Sequence, residues 1–175
     1  MRVEPLTATL DAIVDPRVAD WVAAQIPGFG PASGFGPCTA IGIGRAGIII
    51  AGAVYNNYHP CYRDVSISMA ATSPAWANRS TISKLLGYPF GQLMVNRLTT
   101  FTRASNAKAL RLNSGLGFVR EGVIRQGYGD GEDMIVMGLL RNDAERWIGQ
   151  ASTDSTRSGS DCERAGRDEQ GYGAL

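Results

Sequence analysis

The sequence predicts an α/β (α+β) domain with a mixed, mostly antiparallel central sheet and helices packed on it. Three observations predict this class: two β-hairpins, two places where a helix follows a strand, and enough apolar material for one core. The chain has 175 residues, of which 44% are hydrophobic and 19% are charged, and this length fits one domain. We expect that domain over residues 1–149. Residues 150–175 hold almost no large apolar side chain and are expected to form a disordered polar tail.

The first half of the chain is predicted to form one helix and three strands. Asp15-Pro16 supplies a helix cap and a first-turn proline, apolar side chains then recur at helical spacing, and Pro27-Gly28 ends the helix. The segment before Asp15 has no clear pattern. Residues 28–37 are rich in Gly and Pro and form a loop. Alternating or apolar segments predict strands at 38–45, 47–55 and 64–70, the first two forming a hairpin.

The second half is predicted to contain three helices and three strands. A helix over Trp76–Met94 should break near Tyr88, because Pro89 interrupts it. Ser105-Asn106 begins the next helix, and a glycine pair at 115 and 117 ends it. A short helix is expected over 142–148. The predicted strands are 97–103, 119–126 and 134–140, the last two forming a hairpin.

The overall composition argues against several classes of protein. Lys and Arg total 17 against 16 Asp and Glu, so the formal net charge is +1, which does not suit a protein that coats DNA. The longest apolar run, Ala46–Val54, is too short to cross a bilayer. The chain has one histidine and three scattered cysteines without a CxxC pair. We therefore expect no metal site, no membrane partner and a cytoplasmic location.

Positive charge is concentrated between residues 76 and 125. This segment has eight basic side chains and one acid, Glu121, so its net charge is 8 − 1 = +7. Such a run forms either solvated helix faces or a site for a polyanion. The segment begins after a strand and the capping sequence Thr72-Ser73-Pro74, and a helix N-terminus attracts phosphate. The basic residues are Arg79, Lys84, Arg97, Arg103, Lys108, Arg111, Arg120 and Arg125.

The most specific motif lies in the second of these helices and the strand that follows it. The motif is Asn106-x-x-Ala109-x-x-Leu112, Leu116-Gly117-Phe118 and Glu121-Gly122. It resembles the C-terminal helix and following strand of the GNAT superfamily of acyl-CoA-dependent N-acyltransferases. The hairpin over 125–141 is similar to that of the branch that includes ribosomal-protein N-terminal acetyltransferases. The resemblance covers residues 38–148.

The resemblance implies acetyl-CoA (CoA) as the cofactor, bound between two splayed parallel strands, here 64–70 and 97–103. The pantetheine arm would pair with strand backbone like an added strand, and the pyrophosphate would lie over the N-terminus of the helix that follows the first strand. The residues implied to contact the cofactor are Met69, Ala70, Ala71, Arg79, Ser80, Thr81, Ile82, Ser83, Lys84, Asn106, Lys108 and Asn113.

Two positions depart from the family pattern. The usual phosphate loop, Arg/Gln-x-x-Gly-x-Gly/Ala, has its arginine at Arg79 but neither glycine, although backbone amides can donate without glycine. Asn113 stands where many relatives have a tyrosine that acts as general acid, and an amide cannot deliver a proton at neutral pH. Either another group protonates the thiolate or the thiolate leaves unassisted.

Amide formation requires a group that takes a proton from the amine and a donor for the oxyanion; a backbone N–H near Ala70 would serve as the donor. Each candidate side chain also has a purely structural alternative, such as packing for tyrosine or a surface charge for aspartate. Asp130 and Asp133 lie in the hairpin where relatives line the acceptor site. The candidate catalytic residues are Asp64, Ser68, Tyr55, Asn113 and Tyr128.

The sequence leaves the acceptor open. A primary amine, either a peptide N-terminus or a small molecule, is the first hypothesis, and a monomer or a homodimer would serve equally. One alternative is a CoA-binding module without catalysis. Another is a phage-type enzyme that acetylates a modified base in DNA, with arginines on the phosphates and tyrosines stacked on the base. The residues for that role are Arg45, Arg63, Arg120, Arg125, Tyr55, Tyr58 and Tyr128.

Overall fold

The computed structural model describes residues 10–15, 17–129 and 131–149, so the expected tail over 150–175 lies outside the described residues. The strands are β1 (Leu10–Val14), β2 (Cys38–Arg45), β3 (Ile48–His59), β4 (Asp64–Ala71), β5 (Arg97–Arg103), β6 (Val119–Ile124) and β7 (Met134–Leu140). The helices are α1 (Arg17–Gln25), α2 (Arg79–Gly87), α3 (Ala107–Leu116) and α4 (Arg141–Ile148). Within the described residues, none of these helices is long and apolar enough to cross a bilayer.

The strands form one sheet in the order β1-β2-β3-β4-β5-β7-β6. Every neighbouring pair is antiparallel except β4 and β5, which are parallel. The predicted mixed, mostly antiparallel sheet with packed helices is thereby confirmed. Because α2 follows β4 and α3 follows β5, both helices begin at the carboxyl end of a parallel strand.

The two faces of the sheet are covered differently. On one face, α1 packs against β2, β3 and β4, and Val22 lies in a small core with Val54. The close approach of α1 requires Gly52, since a Cβ there would lie 2.7 Å from Val22 Cγ2. The opposite face carries the larger core, in which Leu85 of α2 packs with Leu98 of β5 and with residues of α3 and α4. The half of the sheet formed by β5, β7 and β6 lies beyond the strands that α1 covers.

The helix expected from Trp76 begins three residues later. Asn78 Oδ1 accepts a hydrogen bond from the backbone N–H of Thr81 at 3.0 Å, so this asparagine caps α2 and sets its start at Arg79. Trp76 itself ends a separate 3₁₀ turn that begins at Pro74. The expected break near Tyr88 is confirmed, because α2 ends at Gly87 and a single π-helical turn, Tyr88–Gln92, follows it.

Two further elements were not expected from the sequence. The segment before Asp15 forms β1, which extends the sheet beside β2. A 3₁₀ turn, Ala32–Phe35, lies within the predicted loop. The hairpin strand β3 also runs four residues beyond its predicted end, to His59, because its pairing with β4 extends the ladder. In contrast, β5 and β7 begin and end at the predicted residues.

Candidate active site

The parallel strands β4 and β5 separate part of the way along their length. Beyond Ser66, β4 keeps its partner β3, and beyond Thr99, β5 keeps its partner β7. The described pairing between β4 and β5 joins Asp64 with Arg97, Val65 with Leu98 and Ser66 with Thr99. The sheet therefore opens into a wedge between residues 67–71 of β4 and residues 100–103 of β5. The edge of β4 in this wedge can accept an additional extended chain.

Two helix N-termini lie at the open end of the wedge. Asn106 caps α3 by accepting a hydrogen bond from the N–H of Ala109 at 3.0 Å, as Asn78 does for α2. In the first turn of α2, the cap takes the N–H of Thr81, and the N–H of Ile82 donates to the Asn78 carbonyl. The remaining N–H groups of this described turn belong to Arg79 and Ser80. They are the groups that α2 can direct at an anion.

Two of the expected cofactor residues of α2 have backbone N–H groups that Asn78 already holds. Ile82 is 6% exposed, and its side chain packs in the larger core. Thr81 is 3% exposed, and Asn78 accepts its N–H. A cofactor contact at these two residues stays a prediction. The other expected residues of the two helices remain candidates, since Ser80, Lys84, Asn106 and Lys108 are exposed and Ser83 is half-buried.

The Arg79 side chain links the first turn of α2 to the last turn of α4. Its Nη2 donates to the carbonyl oxygen of Arg146 at 2.5 Å, where a helix dipole favours a cation. Arg79 remains exposed, and a phosphate contact through its guanidinium stays a prediction.

Asp64 is the centre of a polar network at the paired end of β4 and β5. Thr99 Oγ1 donates to Asp64 Oδ1 at 3.1 Å and accepts from Arg97 Nε at 3.1 Å. Arg97 Nε also lies 3.7 Å from Asp64 Oδ1, and Arg97 Nη2 donates to Glu121 Oε2 at 2.6 Å. Two carboxylates therefore share one guanidinium. The Asp64 side chain stays about one-third exposed, at 33%.

Ser66 and Ser68 lie on the same face of β4 as Asp64. This follows from strand alternation, since Val65 and Ile67 are buried in the larger core on the other face. Both serines are partly exposed. Ser66 thus lies where the pairing of β4 with β5 ends, and Ser68 lies within the wedge, on the face of β4 that carries the Asp64 carboxylate.

The sequence did not indicate the partners of Asp64. Arg97 and Glu121 were recognised only as part of the charge balance of the basic segment, and Thr99 only as a strand residue. Strand alternation does place Arg97 and Thr99 on one face of β5. Their opposition to Asp64 depends on the parallel register of β4 and β5, which is a property of the folded sheet.

Tyr55 was expected among the catalytic residues, and the structure corrects this. The side chain is 2% exposed within the larger core, and its hydroxyl donates to the Leu85 carbonyl at 2.8 Å. Burial raises the pKa of Tyr55 well above that of an ordinary tyrosine. A group so enclosed has no route to a substrate, so Tyr55 is a core residue.

Asn113 lies in the core beside the wedge. It is 9% exposed, and its Nδ2 donates to Thr102 Oγ1 of β5 at 3.1 Å. The bond fixes the amide against the strand that bounds the wedge. Asn113 therefore has a positioning role toward β5, and its amide offers no proton to a leaving group.

Tyr128 holds the tip of the β6–β7 hairpin against β5. Its hydroxyl donates to the Phe101 carbonyl at 2.9 Å, and the Arg103 guanidinium lies 4.6 Å from the centre of its ring. Burial raises the pKa of Tyr128, partly offset by the charge of Arg103, so the hydroxyl stays protonated at neutral pH. Asp133 Oδ1 accepts from the N–H of Gln126 at 2.9 Å, which is turn formation, and Asp130 lies outside the described residues.

Some of the residues named for a DNA acceptor are engaged within the fold. Tyr55 is buried and cannot stack on a base. The Arg63 guanidinium donates twice to the Met94 carbonyl, at 2.9 and 2.6 Å. With Tyr128, whose hydroxyl donates to the Phe101 carbonyl, three of the seven residues are already engaged. The basic segment is similarly reduced, because Arg103 donates to the Pro27 carbonyl at 2.8 Å.

Solved structures of acetyltransferases have the same fold. A spermidine/spermine N-acetyltransferase from Vibrio cholerae superposes with a TM-score of 0.64 at 15% identity, over 79% of this chain and 98% of that one. A dodecameric spermidine N-acetyltransferase from Vibrio cholerae gives 0.62 at 15% identity, over 82% and 98%. A protein described as "Probable acetyltransferase" gives 0.53 at 22% identity, and the match spans 61% of this chain and 62% of that one.

Comparison of the sequence alone is less informative than comparison of the structure. No protein-family model matches the sequence, and no curated protein matches it. These three structures are less than 25% identical to this chain, so the likeness establishes the fold and neither the reaction nor the acceptor. With its one parallel pair opening into a wedge and a helix beginning beside each strand of that pair, the chain has the fold of the GNAT acetyltransferases.

Proposed function

We propose that this protein is an acyl-CoA-dependent N-acetyltransferase that transfers an acetyl group from acetyl-CoA to a primary amine. The observation that carries the proposal is the wedge between β4 and β5, whose pairing ends at Ser66 and Thr99. The solved structures of the same fold that act on spermidine support amine acetylation as the reaction class. A peptide N-terminus and a small amine are both compatible with this class.

The wedge fits the cofactor through backbone rather than through charged side chains. Met69, Ala70 and Ala71 line the edge of β4, where the pantetheine arm would pair as an added strand. The N–H groups of Arg79 and Ser80 at the start of α2 would hold the pyrophosphate. Asn106 at the start of α3 keeps its Nδ2 for the same arm, because only its Oδ1 is used by the cap. Bound acetyl-CoA supplies an activated acetyl group as a thioester.

The Asp64 network would supply the proton acceptor. An alkylammonium must lose a proton before its nitrogen can attack a carbonyl. Asp64, oriented by Thr99 and Arg97, takes that proton at the paired end of β4 and β5, with water carrying it along the face of β4 on which Ser66 and Ser68 also lie. The N–C bond forms as the C–S bond breaks, the nitrogen releases its second proton and the sulfur takes up one proton, so an amide and a free thiol are the products; the first proton leaves Asp64 for solvent. Backbone N–H groups of β4 within the wedge stabilise the oxyanion.

Calorimetric titration with acetyl-CoA tests the proposal directly. We expect saturable binding, and we expect Ser80→Glu to weaken it by about tenfold, because a carboxylate at the start of α2 repels the pyrophosphate. Ala24→Glu is the matched control, since Ala24 is an exposed residue of α1 on the other face. Folded protein that shows no binding at millimolar acetyl-CoA would refute the function, and equal affinities for the two variants would refute the site.

A further inference from the structure

Arg103 joins the two sides of the wedge on the face of the sheet that α1 covers. Its side chain lies on that face because Thr102 is buried beside Asn113 of α3 on the other one, and side chains alternate along β5. Arg103 Nη2 donates to the carbonyl of Pro27 at 2.8 Å. Pro27 follows α1, which packs on β2, β3 and β4, whereas Arg103 is the last residue of β5. This hydrogen bond, which we call the Arg103–Pro27 link, therefore spans the gap between β4 and β5.

The Arg103–Pro27 link lies at the far end of an opening on this face. Ser66 pairs with Thr99 where the two strands part, so four residues further along each strand Ala70 is level with Arg103. At about 3.3 Å per residue, the opening between the start of the wedge and the link is about 13 Å long. The Asp64 network borders its other end. An acceptor that enters from this face must pass between the network and the link.

The guanidinium of Arg103 is also held on the side of the β6–β7 hairpin. It lies 4.6 Å from the centre of the Tyr128 ring. Hydrogen bonds from Ser105 and the nearby charge of Arg103 lower the pKa of Glu132, so a carboxylate balances this guanidinium. Arg103 thus has partners on three segments, and its charge is not free to attract an anion. These contacts suit a residue that fixes the segments around it.

The chain that follows α1 has a second anchor at the start of the wedge. Asn56 Nδ2 donates to the carbonyl of Phe35 at 2.9 Å, and Asn56 pairs with Ser66 of β4. Phe35 is 3% exposed and packs in the smaller core. The segment over 27–35 is therefore fixed at both ends of the opening, by Asn56 at one end and by the Arg103–Pro27 link at the other.

Resting on the proposed function, we propose that Arg103 is a positioning residue for the acceptor amine, because it fixes the 27–35 segment as a border of the opening through which the amine reaches the wedge. The acetyl group would lie in the wedge near Ala70, where a backbone N–H serves the oxyanion. The proposed cofactor contacts are the edge of β4 and the first turns of α2 and α3, and the Arg103 guanidinium contributes to none of them. Its loss therefore weakens acceptor binding and leaves cofactor binding intact.

Steady-state kinetics of matched variants test this role. Thiol release from acetyl-CoA is measured with spermidine, 2-phenylethylamine and a hexapeptide that begins with alanine. For every amine that is acetylated, Arg103→Met should raise KM about fivefold and change kcat by less than about twofold. The Kd for acetyl-CoA should not change, and Arg103→Lys should recover most of the loss, because an ammonium can donate to the same carbonyl. Arg111→Met is the control, since Arg111 is an exposed residue of α3, and it should change neither KM nor kcat.

Several outcomes overturn the inference while the proposed function stands. These are an unchanged KM in Arg103→Met, a loss confined to kcat, a weaker affinity for acetyl-CoA, and an equal rise of KM in Arg111→Met. If Arg103→Met does not fold, Arg103→Gln takes its place with the same expectations, since its shorter side chain does not reach the Pro27 carbonyl.

Hydrogen exchange keeps the two proposals separate. Folded protein that binds no acetyl-CoA refutes the proposed function. Whenever none of the three amines is acetylated, the amide protection of residues 28–36 decides the inference, because the N–H groups of Phe29, Gly34 and Gly36 donate to backbone carbonyls there. Lower protection in Arg103→Met than in both the wild type and Arg111→Met would support the link as the anchor of this segment. Equal protection in all three proteins would overturn it.

Discussion

Tyr55→Phe is expected to destabilise the fold because a proline has removed the normal partner of one backbone carbonyl. In a regular helix, the carbonyl of Leu85 would accept a hydrogen bond from the N–H of residue 89. Residue 89 is Pro89, which has no N–H. The Tyr55 hydroxyl supplies a donor at 2.8 Å instead. The tyrosine thus completes α2 at the point where the π-helical turn begins.

The magnitude follows from burial. Tyr55 is 2% exposed, and Leu85 is 1% exposed, so water cannot replace the missing hydroxyl without opening the core. Leaving a buried carbonyl unpaired costs about 1–3 kcal/mol. For a domain of this size, a loss of about 2 kcal/mol lowers Tm by roughly 4–8 °C. The ring itself is retained in phenylalanine, so its packing against Tyr88, with ring centroids 5.0 Å apart, is preserved.

Urea denaturation of three proteins measures this effect. Tyr62→Phe is the control, because Tyr62 is 76% exposed and its substitution should change stability by less than about 0.5 kcal/mol. A Tyr55→Phe midpoint equal to that of Tyr62→Phe would refute the reasoning. The same pair compared in a Pro89→Ala background adds a double-mutant cycle, in which the restored N–H should reduce the loss caused by Tyr55→Phe. An identical loss in both backgrounds would show that Pro89 is not the cause.

Two other predictions concern the helices and the hairpin beside the wedge. Asn78→Ala should destabilise the protein by about 1 kcal/mol in urea denaturation, since the N–H of Thr81 loses its cap; an unchanged midpoint would contradict the assigned cap. Hydrogen bonds from the backbone and hydroxyl of Ser105 lower the pKa of Glu132. These bonds anchor the β6–β7 hairpin to the start of α3; they are fully present above the ordinary pKa of a glutamate and are lost as the pH falls. The protection of the hairpin-tip amides, measured as the exchange rate relative to that of an unstructured peptide at the same pH, should therefore fall in acid, and Glu132→Gln should already lack it at neutral pH; equal protection of the two proteins at neutral pH would contradict the anchor.

Elements defined by local signals were predicted well. Alternation gave β5, in which Leu98 and Thr102 are buried and Phe101 is exposed. The helix α3 has both of its signals in sequence, the cap at Asn106 and the left-handed Gly117 with φ of 108°. In each case the deciding interaction lies within a few residues of the position that it decides.

Elements that depend on contacts between distant parts of the chain were not predicted from the sequence. The sequence offers two successive caps before α2, Ser73 and Asn78, and the structure uses the first for a 3₁₀ turn and the second for the helix. β1 is recognisable only through its pairing with β2. The same reason applies to the Asp64 network: Glu121, which pairs with Arg97 beside Asp64, lies 57 residues after Asp64 and is brought close only by the folded sheet.

The basic segment illustrates why charge in a sequence is weak evidence for a phosphate site. Of its eight basic residues, Arg79 ties α2 to α4, Arg97 joins two carboxylates, and Arg103 binds the Pro27 carbonyl. These three side chains already have partners within the fold, so the net charge of +7 overstates the positive charge that is available to a phosphate group. What remains for the cofactor is the edge of β4 and the first N–H groups of α2, together with the exposed Lys84 and Lys108. Backbone groups can bind an extended, anionic cofactor without the glycines of the usual loop, provided that the helix begins where Asn78 makes it begin.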